Sequence, residues 1–185
     1  MSDKIRFRTL SEQDMSSEQK AVAQAIVDSP RKGIRGPFPA LLRRPQLADA
    51  TRVLGDCVRY NSSLSDRSRE LAILMVVRHW NVDAEWASHG KIGREAGIQD
   101  AVLEAIEKRV RPSDLDPTDA AIYDVCAELL AKQELSDATF ARALQEFGEV
   151  GVVDLVGAIA YYNYISTIMN AVANPLAEGV TRLPR

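Results

Sequence analysis

A chain of 185 residues with a formal charge of −3 is long enough to bury a core and carries no basic excess, which argues against a nucleic-acid partner. Cys57 and Cys126 lie far apart, which excludes a CxxC motif and a cysteine metal set. The opening MSDKIRFRTL lacks an apolar signal region, and the longest unbroken apolar run, LAILMVV at 71–77, is too short for a bilayer; a cytoplasmic protein with no membrane partner is expected.

The chain reads as helices throughout. Ser16 or Ser17 caps EQKAVAQAIVD, which stops before Pro30. RKGIRGPFP is a Gly- and Pro-rich loop. PALLRR makes a short helical turn, and PQLADATRVLGDCVRYN a longer helix with Pro45 in its first position. Ser65 caps RELAILMVVRHW, whose residues 71–77 are apolar on every side, the mark of a buried central helix. After the break NVD, residues 83–97 form a short helix between Asp83 as N-cap and Gly97. QDAVLEAIEKRV covers 99–110. Asp116, Pro117 and Asp119 open DPTDAAIYDVCAELLAK, and SDATFARALQEFG runs from Ser136 to Gly148. The last helix reaches Pro175, and the tail after Asn174 is expected to be loosely held. No strand alternation, linker or low-complexity segment interrupts the pattern, so 1–185 reads as a single-domain all-α helical bundle.

The helix at 83–97 places two ionisable residues oddly. With about 100° per residue, His89 lies roughly 40° from Glu85, on the side of Ile92 and Ala96, while Ser88, Lys91, Arg94 and Glu95 take the opposite arc. Glu70 sits in the early turns of the preceding buried helix. Hairpin geometry brings His89 or Ile92 nearer to it than Glu85. Burying two carboxylates and an imidazole is costly unless they pair. A histidine gives and takes protons near neutral pH, and flanking carboxylates set its tautomer and basicity. The set lacks a nucleophile. A metal is a second reading, although dimetal bundles favour Glu-x-x-His, and here the spacing is i,i+4. His79, at the end of its helix, suits a structural role beside the helix dipole. The basic cluster Arg31, Lys32, Arg35, Arg43 and Arg44 is either a solvated loop or a rim that attracts an anionic substrate.

The block RELAILMVVRHWNVDAEWASHGKIGREAGI (69–98), with GPFPALLRRPQLA (36–48) before it and LSDATFARALQEFGEVGVVDLVGAIAYYNYISTIMNAVANPLAEG (135–179) after it, resembles the carboxymuconolactone decarboxylase family, which includes the alkylhydroperoxidase D-like proteins. The resemblance implies a helical bundle of the alkylhydroperoxidase D-like type, with its site on a helical hairpin, assembled as a homo-oligomer, trimer or hexamer. Peroxidase members carry a glutamate, a CxxC and a histidine four residues after the second cysteine. Here those positions hold Glu70, Val82, Glu85 and His89, so thiol peroxidase chemistry is not expected. Decarboxylase-like members have a glutamate four residues before the histidine, as Glu85 stands to His89.

The expectation is a cofactor-independent decarboxylase or isomerase acting on a small acidic or lactone compound. His89, Glu85 and Glu70 are the candidate catalytic residues. Trp86 would shape the pocket wall, and Arg43 or Arg44 would hold a substrate carboxylate. The alternatives are a non-enzymatic helical scaffold with the tyrosines at 161, 162 and 164 as its interface, or a metal-dependent enzyme.

Overall fold

The computed structural model describes residues 6–8, 10–172, 176 and 179–185. After a 3-10 turn at Glu12–Asp14 come α1 (Ser17–Asp28), α2 (Phe38–Leu41), α3 (Pro45–Tyr60), α4 (Asp66–Trp80), α5 (Asp83–Glu95), α6 (Asp100–Glu107), α7 (Pro117–Lys132) and α8 (Asp137–Val172). The described residues contain no strand.

Side-chain caps set the starts. Ser16 accepts the Gln19 N–H while the Gln19 side chain reaches back to the Ser16 N–H, a capping box. Ser65 caps α4 through the Ser68 N–H, and Asp116 caps α7 through the Asp119 N–H.

α4 is the axis of the molecule. Leu71, Ala72, Ile73, Leu74, Val76 and Val77 are all fully buried, and α5, α7 and α8 pack around it. The apolar run of 71–77 therefore has neighbours on every side, each large side chain contributing roughly 1.5–3 kcal/mol by leaving water. A second, smaller apolar cluster joins Ala23 and Ile26 of α1, Phe38 and Leu41 of α2, Leu42 and Ala48, with Ile168 of α8 against it. The seam between the two clusters is where the site lies.

Several boundaries differ from expectation, each for a local reason. α6 ends at Glu107 because Arg109 turns left-handed (φ 59°) and the Val110 N–H bonds back to the Ala105 carbonyl. Val82, not Asp83, is the N-cap of α5, because the Asp83 carboxylate is engaged elsewhere. It accepts the Leu183 N–H at 2.9 Å and pairs with Arg185 at 3.1 Å. The described tail is thus held in place, with Leu183 buried and the Pro184 carbonyl accepting from Arg78 at 3.0 Å. The expected helix end at Pro175 lies outside the described residues. Within α8, Gly148 leaves helical geometry (φ 64°, ψ 178°), which separates the two predicted helices.

α8 is also long and apolar enough, by length and composition, to cross a membrane, although half of its apolar window is buried against the rest of the chain. His79 rims a separate hollow, and burial together with Arg109 holds it below its ordinary pKa.

Candidate active site

The α4–α5 hairpin builds the site. Asn81 adopts a left-handed conformation (φ 53°), and the Val82 N–H returns to the Val77 carbonyl at 3.0 Å, so the chain reverses within two residues. α5 then runs back along α4. His89 Nδ1 comes to 2.6 Å from Glu70 Oε2, and its Nε2 lies 3.4 Å from Glu85 Oε2, one turn earlier on α5. The Tyr162 hydroxyl, from α8, is 3.1 Å from the same Nε2, and its ring meets the imidazole edge to face at 5.1 Å.

His89 and Glu70 have side chains only 3% and 2% exposed, whereas that of Glu85 is 14% exposed. Glu70 thus stands behind the imidazole and Glu85 beside it at the open end. Burial disfavours the charged imidazole, but the hydrogen bonds and charges of Glu70 and Glu85 outweigh it, so His89 is held above its ordinary pKa. Burial also raises Tyr162 well above the usual phenol range, with the charge of Arg59 opposing and Glu85 and Glu70 reinforcing the shift. Tyr162 therefore remains a proton donor near neutral pH.

Two proton arrangements satisfy this geometry. In one, neutral His89 donates Nδ1–H to Glu70 and accepts from Tyr162. In the other, imidazolium donates from both nitrogens, toward Glu70 on one edge and toward Tyr162 and Glu85 on the other. A group that switches between two satisfied states can store and pass a proton.

His89, Glu85 and Tyr162 border a cavity of about 250 Å³, with Glu70 behind the imidazole. The 30–38 loop contributes Arg31, Arg35 and Phe38; α3 gives Arg59 and Tyr60; α5 gives Glu85, Ser88, His89 and Ile92; α8 gives Tyr161, Tyr162 and Ile165. Gly36 turns the loop with φ 59°, and a Cβ there would stand 3.1 Å from Glu85 Oε1. Only glycine allows both the turn and that approach. On α3, a Cβ at Gly55 would collide with the Arg31 guanidinium and the Tyr161 hydroxyl.

Three expected site residues lie elsewhere. Trp86, the next residue after Glu85, turns toward the main apolar cluster and packs there. Arg43 donates to the Pro39 carbonyl at 2.9 Å and the Arg8 carbonyl at 2.5 Å and lies over the Phe7 ring, so its charge is drawn to the N-terminal segment. Arg44 is an exposed residue at the start of α3, away from the cavity. From the same basic cluster, Arg31 and Arg35 do line the cavity.

Sequence reasoning missed Tyr162 and Arg59. Tyr162 was legible in part: with Leu155, Ile159, Ser166 and Met169 it marks the buried stripe of α8, and a buried tyrosine hydroxyl needs a partner.

Among the described residues, no group of three or more His, Cys, Asp or Glu side chains is arranged to hold a metal. The two carboxylates meet opposite edges of one imidazole and do not converge on a single point.

No protein-family model and no curated protein matches the sequence. The structure is similar to a solved structure from Ralstonia eutropha JMP134, described as an alkylhydroperoxidase AhpD core and uncharacterized peroxidase-related protein. The TM-score is 0.75 over 94% of this chain and 92% of that one, at 17% sequence identity. The chain has the AhpD-core fold. On this AhpD-type frame, the hairpin positions read from the sequence as those of the peroxidase thiols hold buried Val82 and cavity-facing Glu85. Cys57 is exposed, Cys126 is buried, and neither lines the cavity.

Proposed function

We propose that the chain is a cofactor-independent acid/base enzyme of the carboxymuconolactone decarboxylase type, acting as a decarboxylase or isomerase on a small acidic or lactone compound. The observation that carries this reading is the buried imidazole clasped by Glu70 and Glu85 at the wall of a cavity of about 250 Å³. Glu70 orients the ring and sustains its charge. Tyr162 and Glu85 face the cavity and deliver the proton.

Breaking the bond between a carboxylate and a carbon conjugated to an unsaturated lactone releases CO₂ and leaves the bonding pair delocalised as an enolate. A proton passed from imidazolium through the Tyr162 hydroxyl or Glu85 then closes the new C–H bond, and solvent returns a proton to His89. Isomerisation uses the same groups, one removing a proton and another replacing it. The structural neighbour is described as peroxidase-related, but here no pair of thiols faces the cavity to carry out thiol peroxidase chemistry.

The proposal extends to a cytoplasmic homo-oligomer whose single domain spans 1–185. Exposed Val150, Val153 and Val156 on α8 offer an apolar face for assembly.

The test is turnover of a panel of small unsaturated lactone acids in deuterated water, followed by NMR. The wild type should release CO₂ or shift a double bond and place solvent deuterium on the reacting carbon. His89→Gln should lower the rate by about 10²-fold or more with its helical circular dichroism unchanged. Equal rates in the variant, or no reaction across the panel, would refute the proposal.

A further inference from the structure

The cavity wall presents three arginines in different electrostatic situations. Arg31 is committed: its Nε lies 3.3 Å from Asp56 Oδ1, its Nη2 donates to the Tyr161 hydroxyl at 3.4 Å, and its guanidinium covers the Phe38 ring. Arg35 is exposed at the mouth. Arg59 differs from both. It is partly buried near the end of α3 and lines the cavity, yet among the described residues it has no hydrogen bond and no ion pair. Its guanidinium lies over the ring of Tyr60, 5.2 Å away.

A guanidinium drawn partly out of water forfeits hydration, and five N–H donors are left seeking acceptors. Burial works against its charge, but Tyr162, Tyr60, Glu70 and Glu85 together hold it above the usual arginine value. It lines the same cavity as His89, Glu85 and Tyr162. Arg59 is thus a permanent, uncommitted cation facing the space next to the proton-transfer groups. The planar fork of a guanidinium matches a carboxylate bidentately.

We infer that Arg59 is the anion-recognition residue of the cavity and that the ligand is a small carboxylate seated on its guanidinium, beside Tyr162 and His89. The role expected of Arg43 or Arg44 passes to Arg59, which lines the cavity from the far end of α3. This inference rests on the reading of the cavity as a substrate site. A cation bound to a departing carboxylate would favour the ground state over the transition state, since the charge leaves that group as CO₂ forms. Arg59 therefore grips a carboxylate that is not lost in the reaction.

Binding of benzoate and crotonate is compared with that of benzamide and crotonamide by calorimetry at low ionic strength. The wild type should bind at least one acid about tenfold tighter than its amide, as a charge-assisted hydrogen bond implies. Arg59→Gln should bring acid and amide to equal affinity, and Arg59→Lys should keep part of the difference. An acid preference absent from the wild type, or one that survives in Arg59→Gln, overturns the inference.

Should the variants fail to fold, the wild type alone decides. Saturating acid should protect Arg59 from phenylglyoxal, read by peptide mass, and the amide should not. Equal labelling in both overturns the assignment. No turnover is read, so failure of the proposed reaction and failure of the anion site give separate signatures.

Discussion

Glu70→Gln isolates the charge behind His89 while keeping the shape of the side chain. In the native protein His89 is held above its ordinary value of 6.5, so the folded chain keeps a proton that the unfolded chain releases. The stability gained is complete below about pH 6.5 and drains away as pH rises through the native value. Both partners are almost wholly buried, with side chains 3% and 2% exposed, so solvent screening does little to weaken the pair. Removing one partner of a buried ion pair costs about 3–5 kcal/mol. At high pH the imidazole is neutral in both proteins, and the glutamine oxygen still accepts the Nδ1–H, so the difference shrinks to about 0.5–1.5 kcal/mol. At about 2–4 °C per kcal/mol for a chain of this size, Tm should fall by roughly 6–20 °C near pH 5.5, and the gap should narrow as pH is raised from there through the native value. Thermal unfolding followed by circular dichroism across that range is the assay. A Tm gap that stays constant with pH, or widens as pH rises, would show that Glu70 does not sustain the imidazolium.

Tyr162→Phe should preserve the edge-to-face contact with His89 and cost about 1 kcal/mol in urea unfolding, while slowing solvent-deuterium incorporation by about 10²-fold. Unchanged incorporation would leave Glu85 as the only outlet for the proton. In the folded protein Cys57 should react readily with an aromatic disulfide reagent, whereas Cys126, whose thiol burial pushes far above its ordinary value, should react only on unfolding; prompt release of two equivalents would contradict this. Asp83→Ala removes the acceptor for the Leu183 N–H and the partner of Arg185, and should make the C-terminal segment labile to limited proteolysis. A cleavage pattern identical to the wild type would mean that Leu183 burial alone secures it.

What the sequence disclosed about the site follows from how far apart its parts lie in the chain. Glu70, Glu85 and His89 sit on consecutive helices joined by a two-residue reversal, so helical phase and hairpin height sufficed to bring them together. Tyr162 and Arg59 reach the cavity from α8 and α3, whose approach depends on which faces of three helices interlock. Periodicity marks a buried face without saying what it meets. Trp86 shows the same limit at closer range: one residue from Glu85, it points to the apolar core. The described end of the tail, Leu183 to Arg185, defied expectation because its anchor, Asp83, is about a hundred positions distant, and composition carries no trace of such a contact.

The seam between the two apolar clusters bears on how a ligand gets in. The 30–38 segment and α2 belong to the smaller cluster, whereas Glu70 and His89 are gripped by the larger one. An opening along this boundary would leave the Glu70–His89 hydrogen bond, which joins α4 to α5, in place. Amide hydrogens of residues 30–38 should therefore exchange by local opening, while those of α4 wait for global unfolding. On the proposed reading, entry and proton chemistry would be governed by separate parts of the molecule.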